Sequence, residues 1–155
     1  MALGFDVWVA ANDRSRPFGD GRLSDHCLDT LPTALASQAG VETVKLIDVL
    51  WIEKDGGRAA AAFEVEHSTS IYSGIVRLLD LAMSETSAAT QVLFLVAPDG
   101  RADEVRAQLA RPAFRQVRNL NIRFLPYGEL ESHRQTAARF GEGLKAILAI
   151  SEAMT

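Results

Sequence analysis

The chain has 155 residues, 48% of them hydrophobic and 23% charged, with a net charge of −4 and a pI near 5.4. That balance is the one expected of an ordinary globule with one core, and it argues against a generic nucleic-acid coat protein, whose footprint is basic. The lone Cys27 excludes an internal disulfide and a cysteine-based zinc cluster; no apolar run reaches membrane-span length, so one cytoplasmic domain is expected.

The first element runs over residues 3–10, LGFDVWVA, where Phe5, Val7 and Val9 alternate with Asp6 and Trp8. This is a strand with an unusually apolar second face. It begins almost at Met1. The polar stretch NDRSRPFGDG follows. In it Asn12, Arg14 and Arg16 leave the strand end as candidate phosphate contacts, or as a plain solvated loop. Residues 23–39 read as partly helical, broken or restarted at Pro32, with Gly40 as the stop.

Residues 45–84 read as strand, tight turn, strand and helix, and they hold three carboxylates in a pattern. Glu64 and Glu66 share one face of the second strand, because successive side chains alternate. A three-residue loop at Asp55–Gly57 would pair Lys54 with Arg58 and set Asp48 opposite Glu64, at roughly 5 Å between Cβ atoms. A two- or four-residue loop would point Asp48 away from both glutamates. Three like charges on one face cost free energy unless a cation joins them, and a hard ion such as Mg²⁺, or Mn²⁺ in its place, takes oxygen ligands of this kind. The plain alternative is an alternating strand with a wet outer face.

Ser68, Thr69 and Ser70 are N-cap residues for the helix that follows, whose apolar positions Ile71, Ile75, Leu78, Leu79 and Ala82 are widened by Val76 and Met83. Its N-terminus falls beside the carboxylates, so free N–H groups with Ser68 and Ser70 form a candidate phosphate cradle. Arg77 is a further phosphate candidate, or a simple i,i+3 partner of Asp80. His67 is expected to pack rather than react. Beyond it, residues 91–97 read as a central strand covered on both faces, 103–110 as a helix, 121–125 as a strand and 129–149 as one long helix. Arg111, Arg115 and Arg118 form a basic stripe or a solvated face. Strands alternating with helices around an antiparallel hairpin predict an α/β sandwich with a mixed sheet.

Asp48, then Glu64-x-Glu66 across a hairpin, then a helix, resembles the PD-(D/E)XK nuclease superfamily. The runs IDVLW, AFEVEHSTSIYSGIVRLLDL and LVAPD are similar to restriction-endonuclease-like domains of bacterial proteins. The resemblance spans residues 5–127, and it implies a helix ahead of the first strand for which this chain has no room, so a fragment of a longer protein, or an additional domain or subunit covering that strand, is expected. It implies a restriction-endonuclease-like three-layer α/β/α core with a mixed sheet built around the central β-hairpin. It implies metal-dependent cleavage of double-stranded DNA in restriction or defence, with Asp48 and Glu64 as metal ligands. Glu66 stands where most members have lysine, as a second ligand or as the base that deprotonates water, and Ile47 replaces the proline of the superfamily's name. Cutting both strands would favour a homodimer. A catalytically inactive nuclease-like module, binding DNA or protein, is the alternative reading.

Overall fold

The computed structural model describes residues 3–84, 92–117 and 119–154, excepting the side chains of residues 116 and 117. Its centre is the hairpin of β4 (Val49–Ile52) and β5 (Ala59–Val65), flanked by β1 (Asp6–Val9) and by β6 (Val92–Ala97), β7 (Ile122–Pro126) and β8 (Glu152–Ala153). The strand order is β1-β4-β5-β6-β7-β8; β5, β6 and β7 run parallel to one another, and the outer pairs β1–β4 and β7–β8 are antiparallel. The sheet is mixed, as expected.

Alternation along β5 sets the two faces. Ala62 joins the core under α3 (Ile71–Ala82) and α4 (Ala102–Leu109), with Leu50, Ile75, Leu78, Leu95, Val105 and Phe124. Ala61 and Phe63 join the opposite core, with Phe94, Val96, Leu125 and Ile147, against which Tyr127 and Leu130 of α5 (Tyr127–Phe140) and Leu148 of α6 (Lys145–Ala149) pack. Every residue of β6 is buried, because helices cover it on both sides.

The chain departs from its sequence expectations at several joints. The Asn12–Gly21 stretch folds into a two-strand ribbon, β2 (Pro17–Phe18) with β3 (Gly21–Arg22). At Pro32 the expectation holds: the chain restarts there as α1 (Thr33–Ala36), since the missing N–H costs nothing at a helix N-terminus. Gly40 adopts a left-handed φ of 80° and opens a further short helix, α2 (Val41–Val44), instead of ending the region. The expected long C-terminal helix ends at Phe140: Gly141 leaves helical dihedrals, Gly143 turns with φ 54°, and α6 follows as a separate piece. Met83, assigned to the buried face of α3, is 70% exposed at the helix end. Gln91 and Arg118 lie outside the described residues.

Candidate metal and phosphate site

The hairpin register decides where the carboxylates stand. Glu53 and Arg58 close a four-residue turn, with the Glu53 N–H donating to the Arg58 carbonyl at 2.9 Å. By itself that turn would face Asp48 with Phe63. One residue further along, the ladder steps: Ile52 pairs Ala59 but Trp51 pairs Ala61, leaving Ala60 as a bulge. Val49 then pairs Phe63, so Asp48 stands level with Glu64. The expected alignment holds, although the expected three-residue loop does not.

On this face Glu64 and Glu66 are 0% and 2% exposed. Asp48 is half-buried, and its carboxylate accepts the Val65 N–H at 2.7 Å. Across from them, Arg77 of α3 donates through Nε to Glu64 Oε1 at 2.9 Å and through Nη2 to Glu64 Oε2 at 2.5 Å, and Nη2 also reaches Glu66 Oε1 at 3.2 Å. Arg77 therefore serves Glu64 and Glu66 and not Asp80. The other Glu66 oxygen accepts the Thr69 hydroxyl. Burial pushes the Glu64 carboxyl up to about 7 against the Arg77 hydrogen bonds, and the Asp48 and Glu66 charges add to the rise. Burial also raises Asp48, opposed by the Val65 N–H and Arg77 and reinforced by Asp13.

Several contributors are not apparent from strand or helix pattern. A Cβ on Gly74 would lie 2.7 Å from Glu66 Oε1 and 3.2 Å from Leu95 Cδ2, so this helical glycine makes room for the glutamate. Glycine inside a helical pattern was the available signal. Arg101, for which the sequence held no signal, donates to the carbonyls of Glu66 and Thr69 at 2.8 and 3.0 Å and braces the loop into α3. Beside Asp48 lies a cleft of about 440 Å³, lined also by Asp13, Arg16, Val65, His67 and Tyr127. His67 stacks on Tyr127 there, with ring centroids 5.8 Å apart.

The remaining phosphate candidates divide. Ser68 and Ser70 are exposed in the loop, and Ser70 is the N-cap of α3 without a side-chain capping bond. Asn12 is exposed and does not line the cleft, although its neighbour Asp13 does. Arg14 is engaged internally instead: it donates to the Leu28 carbonyl at 2.9 Å, pairs with Asp29 and lies over the Trp8 ring. Of the basic stripe, Arg111 lies over Tyr72; nearby, Arg106 pairs with Asp103 and Glu152.

Three carboxylates on one face suit a hard dication by donor type and charge. Their spacing is another matter: among the described residues no group of three or more His, Cys, Asp or Glu side chains is gathered closely enough to hold a metal ion. The expected convergence of Asp48, Glu64 and Glu66 into one ligand set is thus not present in this conformation. A cation does stand at the two glutamates, and it is the Arg77 guanidinium.

A mixed α/β sandwich with a buried acidic face beside a cleft is the class that fold and site define. Residues 1–148 match the profile of the type II restriction enzyme NmeDI C-terminal domain, and the chain belongs to that family. It is 32% identical over 136 residues to the type II restriction enzyme NmeDI of Neisseria meningitidis serogroup C. That alignment covers 83% of this chain and 37% of the relative's length, so the chain spans little more than a third of it. No solved structure matches.

Proposed function

We propose that this chain carries the cleavage centre of a PD-(D/E)XK-type restriction endonuclease, acting in the cytoplasm on double-stranded DNA. The carrying observation is the bulge-corrected register that sets Asp48 level with Glu64 on a buried acidic face. Similarity to a type II restriction enzyme supports the reaction class.

In this reading Asp48 and Glu64 hold Mg²⁺ or Mn²⁺, and Glu66 is a further ligand or takes a proton from the attacking water. A bound dication supplies Lewis-acid polarisation of the phosphodiester and a lower pKa for water. Ser68, Ser70 and the N-terminus of α3 steady the phosphate. Hydrolysis breaks one P–O bond, adds the water oxygen to phosphorus and leaves a phosphate monoester and a hydroxyl. Duplex cleavage pairs two such centres, in a homodimer or with a further domain against β1.

Plasmid DNA tests this directly. The intact chain is expected to linearise it with Mg²⁺ or Mn²⁺ and not with chelator, and Asp48→Ala or Glu64→Ala to lose at least about 100-fold in rate. Cleavage surviving in both variants would sink the assignment.

One observation favours a second reading, a catalytically inactive module that binds DNA or protein. Both oxygens of Glu64 are already taken by Arg77. DNA binding by gel shift in chelator, with no cleavage at any Mn²⁺ concentration, is the outcome that reading expects.

A further inference from the structure

We infer that Arg77 is the resident counterion of the acidic face, held where a divalent cation would act and giving way when one enters; this rests on the endonuclease reading above.

The geometry is that of a site complete without metal. The guanidinium fork covers both oxygens of Glu64 and reaches one oxygen of Glu66, while Thr69 takes the other. Planar two-point pairing of this kind is among the stronger polar contacts a protein makes. Glu64 and Glu66 are sealed, at 0% and 2% exposed, so neither reaches bulk water. Gly74 leaves the space that Glu66 fills, since a Cβ there would meet Glu66 Oε1 at 2.7 Å. The Arg77 side chain is 27% exposed, and it is the partner with a path out.

A dication on Glu64 and a guanidinium on the same two oxygens exclude each other by space and by charge. Metal entry therefore requires the arginine to leave, and the work of displacing it weakens apparent metal affinity. Arg77 is on this account a positioning residue: its hydrogen bonds hold the two buried carboxylates in place until the metal replaces it.

Removing the guanidinium has two opposite effects, and that separates this role from a purely structural one. Without metal, two buried carboxylates lose their cation, and the protein melts at a lower temperature. With metal, the competitor is gone and binding tightens, on the order of tenfold. Mn²⁺ titration by calorimetry and thermal melting with and without chelator read both effects on the wild type, Arg77→Met and Arg77→Lys. Arg77→Met is expected to melt lower in chelator, to bind Mn²⁺ more tightly and to gain more from saturation than the wild type. Arg77→Lys, which keeps the charge without the fork, is expected to fall between them. Should Arg77→Met fold only with Mn²⁺, the inference stands; should it fold under neither condition, the Arg77→Lys affinity decides, tighter supporting and equal or weaker overturning. Wild-type Mn²⁺ binding with equal or weaker binding in a folded Arg77→Met overturns the counterion role alone. A wild type that neither binds Mn²⁺ nor cuts DNA overturns the endonuclease reading and this inference with it.

Discussion

Glu64 shows how one side chain can be costly and useful together. Its folded pKa of about 7 lies above the ordinary value of 4.5, so the fold retains a proton that the unfolded chain has released between those limits. Stability from this group is therefore full below about pH 4.5, falls as pH rises to 7 and is lost above it. Denaturant melts in chelator from pH 5 to 8 should show Glu64→Gln flattening that decline, by no more than about 3 kcal/mol across the window. An unchanged slope in the variant would count against the buried, ionising Glu64. Gly74 supplies a second test. Gly74→Ala gains about 1 kcal/mol of helix propensity but drives a methyl against Glu66 Oε1. Melting is expected to move by less than about 1 kcal/mol, because the glutamate end can shift, while cleavage drops on the order of 100-fold through misplacement. Full activity in a stable Gly74→Ala protein would remove Glu66 from the chemistry.

The hairpin of β4 and β5 places its acids through two errors that cancel. The four-residue turn moves the pairing by one residue, and the bulge at Ala60 moves it back. Deleting Ala60 leaves Ile52 opposite Ala59 and Trp51 opposite Ala61, so Asp48 should stay level with Glu64 and metal-dependent cleavage should persist. An alanine inserted between Ala62 and Phe63 should instead face Asp48 with Phe63, turn the glutamates to the other side and abolish cleavage. Equal activity in the two variants would show that register is not what gathers the site. Helix α3 completes the arrangement from across the face: its apolar stripe docks Ile71, Ile75 and Leu78 into the core, which leaves Arg77 on the flank that looks back at β5.

Two cores share the sheet, and the one opposite the acidic face is built on aromatic contact. Phe5 stacks on Trp51 at 5.5 Å, Trp51 meets Phe63 at 4.9 Å, and Phe63 stacks on Phe94 at 4.8 Å, crossing β4, β5 and β6. Phe94 is fully buried, so Phe94→Ala should cost about 3–5 kcal/mol in a denaturant melt. That is a large part of the stability of a domain this size. Exposed Met83→Ser should stay within about 0.5 kcal/mol. Similar losses at the two positions would show that the sheet is not the folding core. The buried layer under β5 backs Glu64, while Arg77 lies on the half-open side.

Periodicity was enough to read β5, β6 and α3, because alternation and the 3.6-residue repeat are local properties of the chain. The same local reading paired Glu64 with Glu66, and the resemblance of EVEHSTSIYSG to nuclease-like domains named the family correctly at the restriction-enzyme level. Short glycine signals were legible but underused: Gly141 and Gly143 mark the end of α5, and Gly74 marks a close approach. The bulge was not legible, since Ala60 sits in a run of four alanines with nothing to distinguish the extra residue. Nor was the partner of Arg77, because the facing of a helix against a sheet is set by packing over both surfaces and not by spacing along either. Local chemistry thus chose the acids, and the docking of α3 onto β5 chose the cation that meets them.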